Sequence, residues 1–429
     1  MKQKLSSWTL QPLNLPSRLV LIKSIFQVMP IYLFSVLSAP KSVLCEIRCI
    51  QRIFLWGGTE DKEKFSLVSW DSICQPKLKG RLGLRDLELM AEVQGEKFWW
   101  RWVSHSSEPW ACLWCSKYGS NRTQWQLIRF NEEQQGSPIW TKARGGRQLV
   151  QHNSFWEIRD GRSARFWEDS WNQLPRLSDD PRWAPIQEWS RMEGRYLVHH
   201  FWQDHRPNER RWWIFSIKPD QIEEDVWEAF QEEMRGRSIR PTEGHDVLRW
   251  GYLDKGVFNI KEAYNIQIRN DAEARELWKK IWTLNLWPKV TTFAWLMVKG
   301  RILTGENLRK RELQGPFQSC LCLQAEETTN HLLDSCPFAE AIWDKGVVGF
   351  RRSDRQRGQP ARTLVEWNQK MFKNRIIRTI WNDLLGMIMW CIWKERNGCI
   401  FRDNRSIPDE DWKLVRKKLL SSIKKHAMA

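Results

Sequence analysis

The chain has 429 residues, more than one ordinary core accommodates and enough for two or three domains. Hydrophobic residues make up 41% and aromatics 12%, with 30 Trp against 5 Tyr, which supplies enough apolar surface for real cores and reads first as core filling, second as base stacking. A formal charge of +17 and a pI near 9.5 point to a polyanionic partner, nucleic acid, ahead of a merely solvated Lys/Arg surface. The ten cysteines are unevenly spaced, and the Met1–Trp8 start has no apolar signal-peptide core, which argues against a secreted disulfide framework. The longest near-apolar stretch, Val28 to Pro40, falls short of a bilayer span. The expectation is an intracellular chain, in nucleus or cytoplasm, without a membrane partner.

Residues 1–56 carry a helical stripe. Leu19, Ile22, Ile25 and Phe26 recur at helical spacing, Pro30 interrupts, and Val43, Ile47, Ile50 and Phe54 resume beyond Pro40. Seven Lys/Arg, among them Lys23, Arg48 and Arg52, stand against Glu46 alone in this segment. Such a basic helical hairpin suits either a nucleic-acid backbone or a solvated face. Helical periodicity returns from Asp86 to Val103, and residues 104–150 are weakly patterned. Asp160-Gly161, between Phe155-Trp156-Glu157-Ile158 and Phe166-Trp167, predicts a β-hairpin over 154–171. Pro175, Pro181 and Pro185 suggest a linker over 172–185. A helix fits 220–234, and a second hairpin fits Val247–Tyr252 with Val257–Ile260. Helices follow at 261–269, 274–284, 288–299, 304–312, 371–396 and 408–426. The last is amphipathic and basic, with six Lys/Arg against one Asp over 411–429, and suits docking on the protein surface or binding to nucleic acid, a membrane surface or a partner helix.

Several strings, in order, resemble one family. Leu5-Ser-Ser-Trp8, Pro16-Ser-Arg-Leu-Val-Leu-Ile-Lys-Ser24, Pro30-Ile-Tyr32 and Phe54-Leu-Trp-Gly-Gly58 are similar to the region after the polymerase core in plant LINE-type (non-LTR) reverse transcriptases. Cys74-Gln-Pro-Lys77 with Gly80-Arg-Leu-Gly83, the Phe155 to Trp171 segment, and Trp250 to Tyr264 resemble successive blocks of that family. Trp278 to Trp343 resembles its zinc-binding domain, and Trp390-Cys-Ile-Trp-Lys-Glu-Arg-Asn397 resembles the linker before an RNase H domain. The family's polymerases carry an aromatic-x-Asp-Asp motif. The Asp-Asp pair here, Asp179-Asp180, lacks the aromatic and lies in a Pro-rich stretch, which reads as a loop. The resemblance therefore implies a fragment without its own polymerase active site. The alternatives are a truncated form of a parent RNA-directed DNA polymerase polyprotein and a non-functional pseudogene product.

The candidate metal ligands are Cys320, Cys322, His331 and Cys336. Zinc takes four N/S donors in a tetrahedron, and His331 and Cys336 have the H-x4-C spacing of small zinc modules. In the family's pattern a C-x2-C pair precedes the His. Cys322 matches its second Cys, Ser319 stands in place of the first, and Cys320 comes one residue late. Two arrangements follow: a tight C-x-C site using Cys320, or a three-ligand site, with Glu326, Glu327 and Asp334 as conceivable carboxylate substitutes. Arg301, Arg309, Lys310 and Arg311 flank the cluster and suit phosphate contacts, although Glu306 and Glu312 among them also suit a solvated face.

The expected fold is mainly α with small antiparallel β-hairpins and a helical zinc-binding module near the C-terminus. The expected organisation is a helical region over 1–110, a Trp-rich region over 111–245, the zinc-binding domain over 246–350 and a basic helical tail over 351–429. The expected function is zinc binding and non-sequence-specific RNA or DNA binding, with no catalysis of its own.

Overall fold

The computed structural model describes residues 13–58, 64–74, 76–104, 107–119, 136–201, 219–237, 244–251, 256–268, 275–283, 286–313, 317–348, 375–402 and 408–427. In chain order the helices are α1 (Leu15–Leu21), α2 (Val28–Phe34), α3 (Lys41–Trp56), α4 (Leu87–Ser104), α5 (Pro109–Trp114), α6 (Pro138–Gly145), α7 (Arg147–His152), α8 (Ala184–Met192), α9 (Glu224–Gly236), α10 (Ile260–Gln267), α11 (Arg275–Thr283), α12 (Pro288–Val298), α13 (Gly305–Arg309), α14 (Pro337–Val348), α15 (Arg375–Arg402) and α16 (Pro408–Ala427). Two strands, β1 (Ser154–Glu157) and β2 (Val247–Trp250), form one antiparallel sheet. The fold is mainly helical with a small antiparallel sheet, as the sequence pattern implies.

The chain divides into two compact units. The first joins Met1–Pro30, Lys41–Asp86 and Arg269–Ala429. Asn14 starts α1 by accepting the Ser17 N–H at 3.1 Å, ahead of Pro16 in the first turn. Leu19, Ile22 and Phe26 then face inward at helical spacing, and Phe26 meets Phe54 edge-on at 5.5 Å. The same core takes Trp295 from α12, Leu384, Ile388 and Ile392 from α15, and Val415 from α16. Each such side chain contributes about 1.5–3 kcal/mol on burial. The Trp295 indole donates to the Gly80 carbonyl at 2.9 Å, which satisfies its buried N–H.

By length and composition, the helical run Leu15–Phe34 is apolar enough to cross a membrane. The run begins well before Val28 because the helix continues through Arg18 and Lys23, which interrupt the apolar pattern in the sequence. A core helix passes the same test, and Leu19, Ile22 and Phe26 are core residues here.

The second unit joins Ile31–Pro40 and Leu87–Ile268. Helix α4 lies against α6 and α7, and two glycines permit the approach. A Cβ on Gly95 would meet the Lys142 carbonyl oxygen at 2.4 Å, and one on Gly146 would meet the Glu96 nitrogen at 2.3 Å. Around this contact the tryptophans fill the core. Trp99 and Trp102 are edge-to-face at 5.0 Å, Trp102 and Trp140 at 5.1 Å, and Tyr118 stacks on Trp140 at 4.1 Å. Much of the weakly patterned 104–150 segment is thus helical core, in α5, α6 and α7, built from rings too evenly spread to show a helical stripe.

Among the described residues, neither expected hairpin appears. Strand β1 pairs with β2 instead, with Ser154 opposite Trp250 and Glu157 opposite Val247. Asp246 explains the choice: its carboxylate accepts the N–H groups of Arg159, Gly161 and Ser163 at 2.6, 2.9 and 2.8 Å. That grip fixes the Asp160-Gly161 turn against the residue preceding β2 and so lays β2 beside β1. Phe166 and Trp167 enter the core rather than returning along β1. Beyond β2, the Trp250 N–H bonds the Gly256 carbonyl at 2.8 Å, and 257–259 form no strand; residues 252–255 lie outside the described ones. The Pro-rich stretch 172–185 is not a linker either. It forms two 3-10 turns whose Leu177 and Trp183 are buried in the core.

Candidate metal centre

Residues 317–327 make a tight turn-back in the first unit. Glu327 N–H bonds the Phe317 carbonyl at 2.7 Å, Ser319 N–H bonds Ala325 at 2.9 Å, and Leu323 N–H bonds Ser319 at 2.8 Å. Leu323 takes a left-handed φ of 57° to close it. The turn presents Cys322. A π-helical turn over His331–Ser335 presents His331, and its last bond, Cys336 N–H to the His331 carbonyl at 2.7 Å, delivers Cys336 as N-cap of α14.

The donor atoms of Cys322, His331 and Cys336 all lie within 4.8 Å of one another, and Cys322 Sγ is 3.2 Å from His331 Nε2. A tetrahedral zinc site with bonds of about 2.3 Å has edges of roughly 3.8 Å, so the Cys322–His331 pair would open slightly and the longer separations would close slightly to hold an ion. Among the described residues no other group of three His, Cys, Asp or Glu donors converges in this way. Burial pushes the Cys322 thiol up, but the Gln324 and Ala325 N–H groups, His331 and the Ser319 hydroxyl outweigh it and bring it down to about 7. Burial keeps Cys336 raised despite the Phe338 and Ala339 N–H groups at the start of α14. The set is the soft N/S chemistry that zinc prefers.

The structure separates the remaining candidates. Cys320 turns away: its Sγ faces the Arg396 carbonyl at 3.7 Å, and Cys399 Sγ lies 3.5 Å from the Cys320 carbonyl. Ser319 is fully buried, makes no well-formed hydrogen bond through its hydroxyl, and lies close enough to the Cys322 sulfur to influence it. A buried hydroxyl without a partner costs about 1–3 kcal/mol. Of the carboxylates, Glu326 pairs with Arg309 at 2.7 Å, and Glu327 is held by Arg396 and by the Gly305 N–H at 2.8 Å. Asp334 is buried on the π-helical turn but is outside the converging donors.

The basic residues singled out from the sequence are mostly engaged inside the first unit. Lys23 donates to the Leu82 carbonyl at 2.5 Å, and burial together with Lys77 lowers it to about 8. Arg48 lies 3.7 Å from Asp86. Arg309 pairs with Glu326 and covers the Phe317 ring, and Lys310 reaches Glu306 at 2.5 Å. Arg311 donates to the Ser66 and Leu67 carbonyls at 3.3 and 3.1 Å. Arg52, Arg301, Arg309 and Lys310 are exposed at the surface, Arg52 reaching the Cys49 sulfur at 3.9 Å.

Residues 258–343, which contain the three converging donors, match the family described as zinc-binding in reverse transcriptase. The chain is 28% identical over 419 residues to an Arabidopsis thaliana protein named as a ribonuclease H protein, covering 95% of this chain and 64% of that relative. It is also 25% identical over 144 residues to an uncharacterized mitochondrial protein of Arabidopsis thaliana, covering 33% of this chain and 92% of the relative. The chain thus spans 64% of the length of the longer relative. These similarities support a retrotransposon-derived protein with a reverse-transcriptase zinc-binding domain.

Proposed function

We propose that the chain is a zinc-dependent nucleic-acid-binding protein descended from a plant LINE-type (non-LTR) reverse transcriptase, acting without catalysis of its own. The observation that carries this reading is the convergence of Cys322, His331 and Cys336 within the segment that matches the zinc-binding family. Bound zinc would cross-link the 317–327 turn to the start of α14 and supply folding free energy there. The chain's residues contribute the rest: Cys322 presents a sulfur already biased toward thiolate, the α14 amides support Cys336, and the backbone turn between His331 and Cys336 fixes their spacing.

The +17 charge supports a phosphate-directed partner, RNA or DNA, bound with little sequence preference. Arg52, Arg301, Arg309 and Lys310 are the exposed candidates among the residues named above. Filter binding of the full chain tests the reading. Affinity for random-sequence RNA and DNA is expected to fall log-linearly with salt, and His331→Ala is expected to remove the zinc found by metal analysis of the wild type. Salt-independent binding, or zinc content unaffected by His331→Ala, overturns it.

A further inference from the structure

Three donors leave one corner of a tetrahedral ion without a ligand, and the sequence offers two neighbours for it, Ser319 and Cys320. Cys320 is committed elsewhere, its sulfur facing the Arg396 carbonyl at 3.7 Å and its own carbonyl facing Cys399. Ser319 is fully buried, and its hydroxyl has no well-formed hydrogen bond, the Cys322 sulfur being the group it acts on. Buried hydroxyls nearly always have a full partner, and one set beside a converging metal donor has an evident one in the ion itself. The backbone fixes this placement: Ser319 donates its N–H to Ala325 and accepts the Leu323 N–H, so it is held at the base of the turn that presents Cys322.

We propose that Ser319 is the fourth ligand, its hydroxyl oxygen completing an S2NO site with Cys322, His331 and Cys336. The proposal rests on the zinc reading above and goes beyond it, since it assigns an oxygen donor to a position where thiolate would bind more strongly. A neutral hydroxyl is a weak donor to zinc compared with thiolate, so the ion is bound more loosely than in a site with three sulfurs and exchanges more readily. It also gives Ser319 opposite roles in the two states. Without metal the hydroxyl has only the Cys322 sulfur to lean on in the interior, and with metal it is a ligand.

The full-length chain tests this with Co2+ as a spectroscopic probe and with Zn2+ in competition against a chromophoric chelator. The wild type is expected to give tetrahedral d–d bands and the charge-transfer intensity of two thiolates. Ser319→Ala is expected to shift the d–d bands and to weaken both metals by about tenfold or more. Ser319→Cys is expected to tighten both and to raise the charge-transfer intensity by roughly half, as a third thiolate enters. Cys320→Ala is expected to leave spectrum and affinity unchanged. Thermal unfolding guards against a simple folding defect: the metal-free Ser319→Ala chain is expected to be at least as stable as the metal-free wild type, and to gain less from zinc. Ser319→Ala with wild-type spectrum and affinity overturns the proposal, as does loss of the metal in Cys320→Ala. Binding of neither metal by the wild type overturns the zinc reading and this proposal together, whereas binding that ignores Ser319 overturns this proposal alone.

Discussion

Glu327 and Arg396 form a bidentate ion pair, Nε to Oε2 at 3.0 Å and Nη2 to Oε1 at 2.6 Å, with side chains 2% and 5% exposed. They are 69 residues apart, and the pair ties the metal-presenting turn to the C-terminal half of α15. The guanidinium also lies over the Trp393 ring at 5.0 Å. Removing one partner leaves the other charge buried and uncompensated, so Arg396→Met is expected to destabilise the first unit by about 3–5 kcal/mol. The double variant Glu327→Leu/Arg396→Met is expected to recover most of that loss, short of the hydrogen bond to the Gly305 N–H, worth about 1 kcal/mol. Urea unfolding of the wild type, Glu327→Leu, Arg396→Met and the double variant checks it; a double variant that loses the sum of both singles sinks the account.

Zinc affinity is expected to rise with pH in two regimes. Below about 7, Cys322 and Cys336 must both release a proton to bind; above it, Cys322 is already thiolate and only Cys336 must. The slope of log affinity against pH is therefore steeper below 7 than above it. For the metal-free fold the sign is the usual one for a depressed group: the stability that Cys322 contributes is present above its unfolded value and lost as pH falls through about 7. Competition titrations from pH 6 to 9 measure the slope, and a uniform one contradicts the assignment.

Glu96 behaves oppositely. Burial raises its carboxyl to about 7, against the hydrogen bond from Gln267 at 2.5 Å, and its Oε2 has no hydrogen-bond partner. The folded state holds a proton there that the unfolded chain has lost, so stability falls as pH rises toward 7. Glu96→Gln is expected to stabilise the second unit above that pH, by up to about 3 kcal/mol, and to change little near pH 4.5. Thermal melts at pH 5 and pH 8 distinguish the cases; equal effects at both rule out a buried titrating carboxyl.

Purified protein is expected not to extend a primer on RNA or DNA. Two-metal phosphoryl transfer needs paired carboxylates free to hold Mg2+. In the Asp179-Asp180 pair, both oxygens of Asp180 are taken by Arg182, at 3.0 and 2.6 Å. Template-dependent incorporation that co-purifies with the chain through successive columns counts against this.

The helices were legible where apolar residues recur at helical spacing or in long apolar runs. The stripe through Leu19, Ile22 and Phe26 and the resumption after Pro40 follow from one buried face, whereas α4 and α12 are runs buried on nearly every side. Cys322, His331 and Cys336 were legible because zinc demands particular atoms at short range. Neither signal reaches across long separations. Asp246 reads as an ordinary acid, and nothing local reveals that it grips Arg159, 87 residues earlier, and so selects the β1–β2 pairing over two plausible hairpins. Glu327 reads as a conceivable carboxylate ligand beside the cysteines, and nothing local reveals that Arg396, 69 residues on, takes it instead. Cys320 shows the limit at close range: one residue of offset along a tight turn sends a side chain the other way, and spacing alone left both directions open.

The first unit is assembled from stretches of chain on both sides of Leu87–Ile268. On the ribosome, Ile22, Phe26 and Leu55 emerge long before Trp295, Trp343 and Leu384, which share their core. At about 5–20 residues per second, that leaves roughly 10–40 s in which the amino-terminal helices have only one another and residues up to Leu84 for apolar company. The intervening unit is complete in sequence by Ile268 and is free to close first. Synthesis therefore imposes an order, with the unit completed at Ile268 maturing ahead of the one whose core waits for Trp295 and Leu384.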